Sequence, residues 1–580
     1  MIMAQSKKLH AADICVIGGG MSGLCAAVAA ARHGSKVVLI HDRPVLGGNA
    51  SSEIRMWIRG AGPDHRETGI VQEVEMENIY RNPTMNYSIW DTVLYQIVKN
   101  EENIELLLNC SCLGAEMDGD KIASVTGWQL NSYTFHTVSA KIFMDCSGDC
   151  ILADLTGAPY RVGRESKDEF DEYGAPAVAD RCTMGSSVLI EARETDHKCE
   201  FVAPEWAYVY PDDESMYLKN HDIKGTGVNF WWIELGGRQD TIYDAQEINE
   251  ELLKVAYGVW DHIKNRGDHG MDNWELEWMG FLPGKRESRR YEGAYMLNQR
   301  DLEEGHPFDD VVAFGGWTMD NHSPDGFRHI GYSSTHIAAK KGYHIPFRSL
   351  YSVAVPNLMF AGRNISASHM AMSSTRVMAT CALIGQGAGT GAAVAIAKDC
   401  SVAEVTEKHM DLVQKKLMDD GCWLPGLLRS VPETAREGFT PEQIAVLENG
   451  WERPQNGESN CVAIADGGSF ALTGEGKVLR LALDPDFSRE SISSSKHVQK
   501  YAMRTHIYGD AEPANMPANM LKSCKITAMA ADGTETVIPV AENRKVVLSC
   551  ALPADAVKVT VSELTSWGGE NVNFFACDLS

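Results

Sequence analysis

The sequence predicts an α/β fold: a Rossmann-like dinucleotide-binding domain, interrupted by an inserted α+β domain and followed by a C-terminal β-sandwich. Three observations predict it. An apolar run at residues 14–17 leads directly into a glycine cluster. A second apolar strand pattern with glycines, at residues 357–364 and 385–389, appears far downstream. From about residue 440 the pattern changes to short alternating strands separated by Asp, Gly, Asn and Pro turns.

The first element is a complete strand, glycine turn and helix. Residues 14–17 are typical of a buried parallel strand, residues 24–32 form an Ala-rich helix, and residues 36–40 form the next strand. In such a unit one glycine permits the tight turn, one lets the backbone approach a pyrophosphate, and one allows close helix packing. The helix N-terminus favours the negative phosphates. The predicted cofactor-binding residues of this unit are Gly18, Gly20, Met21, Ser22 and Gly23.

The end of the second strand departs from the usual dinucleotide pattern. An acidic residue normally binds the adenosine ribose there, but this chain has His41 followed by Asp42. Either could contact the ribose hydroxyls, and the alternative is that Asp42 pairs with Arg43 on the surface. A hydroxyl-rich loop follows, and we predict that it lies along the cofactor. The predicted contacts from this region are His41, Asp42, Arg43, Gly47, Gly48, Asn49, Ser51 and Ser52.

Composition indicates a large acidic protein of several domains. The chain has 580 residues, 44% of them hydrophobic, which is enough for ample cores. The formal charge of −26 disfavours nucleic acid and anionic membrane surfaces as partners. A locally basic pocket remains compatible with this total, and the cluster of Lys285, Arg286, Arg289 and Arg290 is a candidate.

Two further features bear on location. Residues 1–10 lack the apolar core of a secretory signal, so we predict a cytoplasmic protein. Residues 377–397 carry no charge, but their glycines and polar residues favour a buried helix over a membrane span.

The fifteen cysteines are dispersed, as is typical of reduced thiols. The pairs Cys110/Cys112 and Cys146/Cys150 lack the paired CxxC spacing of a zinc site, and we predict no metal site. A redox-active dithiol at Cys146 and Cys150 is one interpretation, and a pair of small buried residues is the other.

The patterns divide the chain into four predicted regions. Residues 12–165 form the first part of the cofactor domain, residues 166–350 an inserted substrate domain, residues 351–435 the second part, and residues 440–580 the β-sandwich. The insertion holds seven of the thirteen tryptophans, and we expect it to cover the substrate.

Five segments carry a family resemblance: residues 18–23, 47–55, 145–149, 284–290 and 362–369. From about residue 12 to residue 430 the sequence resembles the bacterial FAD-dependent oxidoreductases with a glutathione-reductase-type FAD fold, some of whose members are labelled xanthan lyase-like. The resemblance implies FAD as cofactor and a final helix that directs its N-terminus at the flavin. In this interpretation the amides around Gly385–Gly389 lie at the start of that helix. The resemblance implies further FAD contacts at Cys112, Ser147, Gly148, Asp149, Gly362, Arg363, Asn364, Gly385, Gln386, Ala388 and Gly389.

The sequence has no second strand, GxGxxG turn and helix, so no separate NAD(P)H domain is predicted. Electrons are therefore expected to come from an organic small-molecule substrate. They must leave for an acceptor that the sequence does not identify, such as oxygen, a quinone or a carrier protein. A homo-oligomer is compatible with the sequence.

Oxidation of a carbinol requires a base for the hydroxyl proton while hydride passes to the flavin N5, and neutral histidine suits this role. His369 follows the second glycine segment, and His322 lies two residues after Asp320, which could orient it. Each histidine could instead be structural. Arg348 and Arg376 could bind a substrate carboxylate or the flavin, or form ion pairs with Glu53 or Asp149.

The predicted function is FAD-dependent oxidation of a hydroxylated small molecule, preferably a sugar, glycoside or sugar acid. Aromatic faces stack on the C–H side of a pyranose, and we expect some of the tryptophans in the insertion to serve this purpose: Trp231, Trp232, Trp260, Trp274 and Trp278. Two alternatives remain open. One is a fumarate-reductase-like enzyme that uses arginine to protonate an unsaturated acid. The other is a redox-silent lyase or glycan-binding protein with structural FAD.

Overall fold

The computed structural model describes residues 6–62, 65–223, 230–267, 269–455, 457–487 and 515–580. Residues 1–5, which belong to the segment used for the prediction of location, lie outside the described residues.

A five-stranded parallel sheet forms the centre of the molecule. Its spatial order is Leu358–Phe360, Ile142–Asp145, Ile14–Ile17, Val37–Ile40 and Ile104–Leu107. The strands Ile14–Ile17 and Val37–Ile40 are buried along their whole length, as expected for a parallel sheet covered on both faces. Because Leu358–Phe360 pairs with Ile142–Asp145, the two distant glycine segments meet in one sheet. This confirms the predicted Rossmann-like core.

Two helices pack against each other through small residues. Met21–Arg32 follows the glycine turn, and Met378–Lys398 crosses it so closely that a Cβ on Gly385 would lie 2.0 Å from the carbonyl oxygen of Ser22. A Cβ on Gly389 would lie 2.2 Å from the oxygen of Ala26. Only glycine permits this contact between the two backbones. Before residue 420, the other described helices outside the insertion are Ile70–Arg81, Tyr87–Lys99, Ile151–Thr156, His369–Thr375, Val402–Lys408 and Met410–Asp419, with a 3₁₀ turn at Gly48–Ala50.

Met378–Lys398 is, among the described residues, the one helix long and apolar enough for a membrane span, and 94% of its most apolar window is buried inside the protein. This is the environment of a core helix.

A second sheet lies beside the first. It contains Ser6–Ala11, Thr134–Ser139, Lys121–Gln129 and Cys110–Asp118, in that spatial order. The first pair is parallel and the others are antiparallel.

The inserted region is built from short strands and a few helices. One three-stranded sheet has the order Glu234–Leu235, Ser186–Ser187 and Gly284–Lys285. Four strand pairs accompany it: Ile190–Glu194 with Trp274–Met279, Tyr160–Val162 with Arg289–Tyr291, Val311–Gly315 with Tyr343–Pro346, and Met319–His322 with Ser334–Ile337. The helices are Lys167–Phe170, Ala245–Asp261 and Gln299–Glu304, with 3₁₀ turns at Gly326–Arg328 and Phe347–Ser349 and a π-helical turn at His262–Arg266.

Two apolar clusters divide this region. Side chains between Val188 and Met279, together with Phe327, form a cluster of their own. Side chains from Leu297 to Leu350 instead join the main cluster around the parallel sheet. The hairpin Met319–His322 with Ser334–Ile337 therefore lies where the two clusters approach each other.

The C-terminal region has two antiparallel sheets. The larger has the order Ala435–Glu437, Phe470–Thr473, Ala556–Ser566, Leu521–Ala530 and Glu535–Val540, and the smaller has the order Val462–Ala465, Asn571–Leu579, Val478–Leu483 and Val547–Ala551. One apolar cluster contains side chains from both sheets, from the helix Pro441–Leu447, and from Met76 and Ile79 of the helix Ile70–Arg81.

Candidate functional site

A cavity of about 740 Å³ begins at the C-terminal ends of the parallel strands and extends into the inserted region. This is the edge at which open α/β sheets bind ligands, and the volume is in the range of about 300–1,000 Å³ that ligand sites have. Two groups of residues line it. The first group contains predicted cofactor contacts: Gly18, Gly20, Met21, Ser22, His41, Asp42, Arg43, Gly47, Gly48, Asn49, Cys112, Ser147, Gly148, Asp149, Gly362 and Arg363. The second group comes mainly from the insertion and includes Trp231, Arg286, Trp317, Asp320, His322, Tyr332 and His336.

The glycine turn has the shape that a pyrophosphate requires. Gly18 has φ +104°, and a Cβ there would lie 2.4 Å from the carbonyl oxygen of Cys146. A Cβ on Gly23 would lie 1.8 Å from the oxygen of Gly18, so Gly23 supports the turn from behind the cavity wall. A Cβ on Gly20 would meet no atom closer than 3.9 Å, because Gly20 faces the cavity. Because Gly20 has no side chain, the space beside the turn that a side chain would fill stays open.

His41 supports the glycine turn, whereas the sequence suggested it as a ribose contact. Its Nδ1 accepts a hydrogen bond from the backbone N–H of Gly19 at 2.9 Å, and its Nε2 lies 2.9 Å from the carbonyl oxygen of Val45. The ring is therefore the neutral Nε2–H tautomer. Burial lowers the pKa of His41 to about 4, in agreement with this assignment. Asp42 is 55% exposed and also lines the cavity.

Asp149 binds cations of the protein. Its carboxylate accepts from Arg363 NH2 at 2.8 Å, from Lys285 Nζ at 2.8 Å and from Ser288 Oγ at 2.7 Å. Burial alone would raise the pKa of Asp149. The positive charges of Arg363 and Lys285 lower it by a larger amount, so the net pKa is well below its usual range. Asp149 therefore positions Arg363 and Lys285 on the wall. Arg363 Nε is buried and has no hydrogen-bond partner among the described residues. Buried polar groups normally have a partner, and a polar ligand in the cavity would supply one.

Several predicted cofactor contacts lie elsewhere: Ser51, Ser52, Asn364, Gly385, Gln386, Ala388 and Gly389. The interpretation of Gly385–Gly389 as the start of a helix is wrong, because the helix begins at Met378 and these glycines lie in its middle. Gln386 Oε1 instead accepts from the backbone N–H of Ile70 at 2.8 Å. Val377 and Met378, at the true N-terminus of this helix, line the cavity.

The other polar members of this group also lie away from the cavity, and Ser51 Oγ and Asn364 Oδ1 are buried without a hydrogen-bond partner among the described residues. The backbone N–H of Ser52 donates to Asp91 Oδ1 at 3.1 Å. Asn364 Nδ2 donates to the carbonyl oxygen of Asp145 at 3.3 Å, beneath the cavity, and Ser51 is fully buried.

His322 lies on the insertion side of the cavity between two carboxylates. Its Nδ1 is 2.7 Å from Glu234 Oε2, and its Nε2 is 3.4 Å from Asp320 Oδ2. The short contact to Glu234 fixes the ring, and the contact of Nε2 with Asp320 is the longer of the two. The predicted link to Asp320 is thus present, but the stronger partner is Glu234, which the sequence did not indicate.

Both carboxylates beside His322 are held in the ionised form. Burial raises the pKa of Glu234, but Arg286 and His322 lower it below its usual range. Burial also raises the pKa of Asp320, and His322 and Arg376 lower it well below its usual range. Two ionised carboxylates therefore flank the imidazole of His322.

His369 and Arg348 do not reach the cavity. His369 is 2% exposed, its Nδ1 lies 3.0 Å from the carboxylate of Glu287, and its Nε2 lies 3.0 Å from Asn321 Oδ1. Arg348 forms two 3.0 Å hydrogen bonds with the carboxylate of Asp310, and neither predicted partner of this arginine is involved. The structure thus places both residues in structural contacts outside the cavity wall.

Three arginines line the insertion side of the cavity: Arg59, Arg286 and Arg376. Arg376 NH2 donates to the carbonyl oxygen of Asp320 at 3.0 Å, and its Nε is buried without a partner among the described residues. Burial lowers the pKa of Arg286, and the nearby Arg376 contributes to the same shift. Arginine side chains thus adjoin His322, and Arg286 and Arg376 also contact the carboxylates of Glu234 and Asp320 at 3.3 and 3.4 Å.

The tryptophans of the insertion serve different purposes. Trp232, Trp260 and Trp274 belong to the apolar cluster of the insertion, so they are not available to a ligand. Trp278 stacks on the guanidinium of Arg55 at 4.3 Å. Trp231 and Trp317 line the cavity, with Trp57 from outside the insertion. The carbohydrate-stacking prediction therefore applies to Trp231 alone among the five residues proposed for it.

Cys146 and Cys150 are both buried free thiols. Burial and the charge of Asp145 raise the pKa of each thiol well above its usual value. A redox-active dithiol requires an accessible thiolate, so these contacts favour the interpretation as small buried residues.

Comparison with known proteins gives a family match and distant structural similarity. The family model described as FAD dependent oxidoreductase matches residues 13–417. No curated relative matches the chain.

Three solved structures illustrate the structural similarity. A geranylgeranyl bacteriochlorophyll reductase-like protein from Thermoplasma acidophilum has 14% identity and a TM-score of 0.32, with 71% of this chain and 86% of that chain covered. The anhydrotetracycline hydroxylase OxyS from Streptomyces rimosus has 11% identity and a TM-score of 0.32, with 71% and 66% covered. Quinol fumarate reductase FrdA from E. coli has 12% identity and a TM-score of 0.27, with 71% and 75% covered.

Proposed function

This chain belongs to the FAD-dependent oxidoreductase family, and we propose that it oxidises a hydroxylated small molecule, with a sugar acid, sugar or glycoside as substrate. Its cofactor is FAD, and its membership of an oxidoreductase family favours redox chemistry over the redox-silent alternative. The observation that carries the proposal is His322, which lies on the cavity wall with Nδ1 fixed by Glu234 at 2.7 Å and Nε2 in a longer contact of 3.4 Å with Asp320.

The residues on the cavity wall fit FAD. The glycine turn would hold the pyrophosphate, Asp42 the ribose, and the strand containing Cys110 and Cys112 the adenine side. Loop 47–49, Gly362, Arg363 and the helix start at Met378 would hold the flavin part. When bound, FAD supplies a hydride acceptor at its N5 atom.

His322 is the proposed general base. With its Nδ1–H donated to Glu234, the neutral ring has a lone pair on Nε2 that can accept the carbinol proton. The resulting imidazolium would lie between Glu234 and Asp320, both of which remain ionised. The proton on Nδ1 stays with His322 throughout, so Glu234 acts as a positioning group and an electrostatic stabiliser.

The chemistry of the wall supports an acidic sugar as substrate. Trp231, Trp317 and Tyr332 offer aromatic faces for the apolar side of a pyranose. Arg376, with its unpartnered Nε, and Arg59 offer cationic donors for a carboxylate. A uronic or aldonic acid would use both features, whereas a neutral sugar would use only the aromatic one.

The proposal is tested by anaerobic absorption spectroscopy of the purified flavoprotein with uronic acids, aldonic acids, neutral sugars, glycosides and simple hydroxy acids in turn. We expect bleaching of the oxidised flavin by a sugar acid at concentrations at which the matched neutral sugar has little effect. A flavin that no hydroxylated compound reduces would contradict the proposal.

A specific observation favours a second function, reduction of an unsaturated acid. Arg286 lies on the cavity wall, and burial lowers its pKa, which makes its guanidinium a stronger proton donor. In that case, chemically reduced enzyme would be reoxidised anaerobically by fumarate-type acids, and Arg286→Lys would abolish this reaction. Reoxidation by these acids, together with no bleaching by hydroxy compounds, would favour this function over oxidation.

We further propose that the two C-terminal sheets form a β-sandwich, for which their shared apolar cluster is the support. A cytoplasmic location is supported by fifteen cysteines without a disulfide. We also propose that the chain is divided into the four regions 12–165, 166–350, 351–435 and 440–580. The electrons taken from the substrate pass to an acceptor that is not identified.

A further inference from the structure

Three histidines converge at a second site in the insertion, around a smaller cavity. His221, His262 and His269 each offer a ring nitrogen, and these nitrogens all lie within 4.8 Å of one another. The three rings are nearly equidistant, with centroid separations of 5.0, 4.8 and 5.0 Å. Asp213 adjoins them, with Oδ1 3.4 Å from His262 Nε2 and 3.6 Å from His221 Nε2.

Hydrogen bonds to backbone carbonyls orient two of the rings. His262 Nδ1 lies 2.8 Å from the carbonyl oxygen of Tyr210, and His221 Nδ1 lies 2.9 Å from that of Lys219. A carbonyl can only accept, so each Nδ1 carries the proton and each Nε2 presents a lone pair. Metal-binding histidines have this arrangement, with one nitrogen on the metal and the other N–H on a protein acceptor.

The spacing of the donor atoms matches tetrahedral coordination. Zn²⁺ binds imidazole nitrogen and carboxylate oxygen at about 2.0–2.2 Å, which places two tetrahedral ligands about 3.3–3.6 Å apart. His262 Nε2 is 3.2 Å from His269 Nε2, and the two separations to Asp213 are similar. Three neutral imidazoles and one carboxylate are also a ligand set of the type that Zn²⁺ prefers.

The local backbone and the cavity fit such a site. His262 begins the π-helical turn His262–Arg266 at the end of the helix Ala245–Asp261, and such turns are frequent at functional sites. His262 is 2% exposed, whereas Asp213, His221 and His269 line the cavity of about 500 Å³ through which an ion can enter.

We propose that His221, His262 and His269 bind a Zn²⁺ ion, with Asp213 as the fourth ligand. A site with four protein ligands is closed, and this is the form that structural zinc takes. The ion would fasten the irregular segment 213–223 to the helix Ala245–Asp261. This site is separate from the FAD cavity, and it revises the prediction from the sequence that the protein has no metal site.

The zinc site has a physical connection to the wall of the FAD cavity. Lys219, two residues before His221, donates from Nζ to the carbonyl oxygens of His329 and Gly331 at 2.7 and 2.6 Å. Its Nζ also donates to Ser333 Oγ. Tyr332, in the same loop, lines the larger cavity. The ion would therefore stabilise the segment that supports this part of the wall.

The test is the metal content of the purified protein, together with its FAD content and melting temperature. We expect about one Zn²⁺ per chain in the wild type, and its loss in His262→Ala and His269→Ala with FAD retained. His197→Ala is the matched control, because His197 lies in the same insertion with a side chain that is 69% exposed, and it should retain zinc. A chelator should lower the melting temperature of the wild type and of His197→Ala but not that of His262→Ala.

Titration of the metal-depleted wild type with Co²⁺ tests the proposal without depending on the folding of a variant. Bound tetrahedral Co²⁺ would give intense visible difference bands, and added Zn²⁺ would remove them. The proposal would be overturned if the metal-free wild type gave no such bands and bound no more Zn²⁺ than His262→Ala.

Discussion

The cofactor side and the substrate side of the cavity are built by different means. The cofactor side is formed mainly by backbone, and its most restricted positions are glycines such as Gly18 and Gly23. The substrate side is formed by charged side chains that restrain one another, as Glu234 and Asp320 restrain His322. The comparison indicates that substitutions on the cofactor side act through sterics and those on the substrate side through charge.

The largest effect is expected from a side chain in the glycine turn. In Gly18→Val the new Cβ would lie 2.4 Å from the oxygen of Cys146, in a backbone conformation unfavourable for valine. We expect destabilisation by about 3 kcal/mol or more and loss of FAD. Flavin absorbance per chain and the melting temperature measure this effect.

Gly114→Ala is the matched control for this prediction. Gly114 has no positive φ, and a Cβ there would meet nothing within 4 Å, so FAD content should be unchanged. Normal FAD binding by Gly18→Val would show that steric restriction at the turn does not govern the cofactor side.

On the substrate side, the charge of Glu234 should matter more than its volume. Glu234→Gln keeps the size of the side chain but removes the charge that fixes the Nδ1–H tautomer of His322. We expect flavin reduction to slow by roughly 10²-fold or more, with FAD content unchanged. Stopped-flow flavin absorbance under anaerobic conditions measures the rate. An unchanged rate would mean that the charge of Glu234 plays no part in catalysis.

His41 gives the cofactor side an expected dependence on pH. Its pKa is about 4 in the folded protein, against the ordinary value of 6.5, because burial disfavours the imidazolium. The unfolded chain therefore binds the proton more readily between these two pH values. The contribution of neutral His41 to the free energy of unfolding is complete above about pH 6.5. This contribution falls by roughly 2–3 kcal/mol as the pH decreases towards 4.

This dependence is measured as the free energy of unfolding at pH 7 and pH 5 in the wild type and in His41→Asn. The loss of stability between the two pH values should be smaller in His41→Asn than in the wild type. His329→Asn, a substitution of an exposed histidine, should resemble the wild type. An equal loss in all three proteins would show that His41 does not cause the acid sensitivity.

The smallest effect is expected at Arg348. The side chain of Arg348 forms a bidentate pair with Asp310 and is 41% exposed. The pair lies outside the cavity. Arg348→Ala should cost about 1–2 kcal/mol of stability, because the carboxylate of Asp310 is only 5% exposed and loses its guanidinium partner, and it should leave the rate of flavin reduction unchanged. A large loss of rate would restore Arg348 as a candidate substrate contact.

The sequence predicted the parts of the site that depend on local patterns. A strand, a glycine turn and a helix are adjacent in sequence, so residues 14–32 were sufficient to predict the pyrophosphate cradle. The same reasoning was wrong for Gly385–Gly389, because glycines that permit helix packing resemble glycines at a helix start. No sequence pattern distinguishes the two without knowledge of the facing helix.

The substrate side depends on contacts between distant segments. Glu234 lies 88 positions from His322 and carries no motif that would pair the two residues. His369 was a reasonable candidate base from its position after the glycine segment, yet Glu287 and Asn321 occupy both of its ring nitrogens. The histidines of the proposed zinc site, His221, His262 and His269, likewise follow no known ligand spacing.

The most direct test of the central claim is the rate of anaerobic flavin reduction in a single turnover by the wild type, His322→Ala and the exposed-site control His329→Ala. A sugar acid that bleaches the wild-type flavin serves as substrate. We predict a loss of about 10²- to 10⁴-fold in His322→Ala, with normal FAD content, and no loss in His329→Ala. Equal rates in all three proteins would contradict the assignment of His322 as the base that carries out the oxidation.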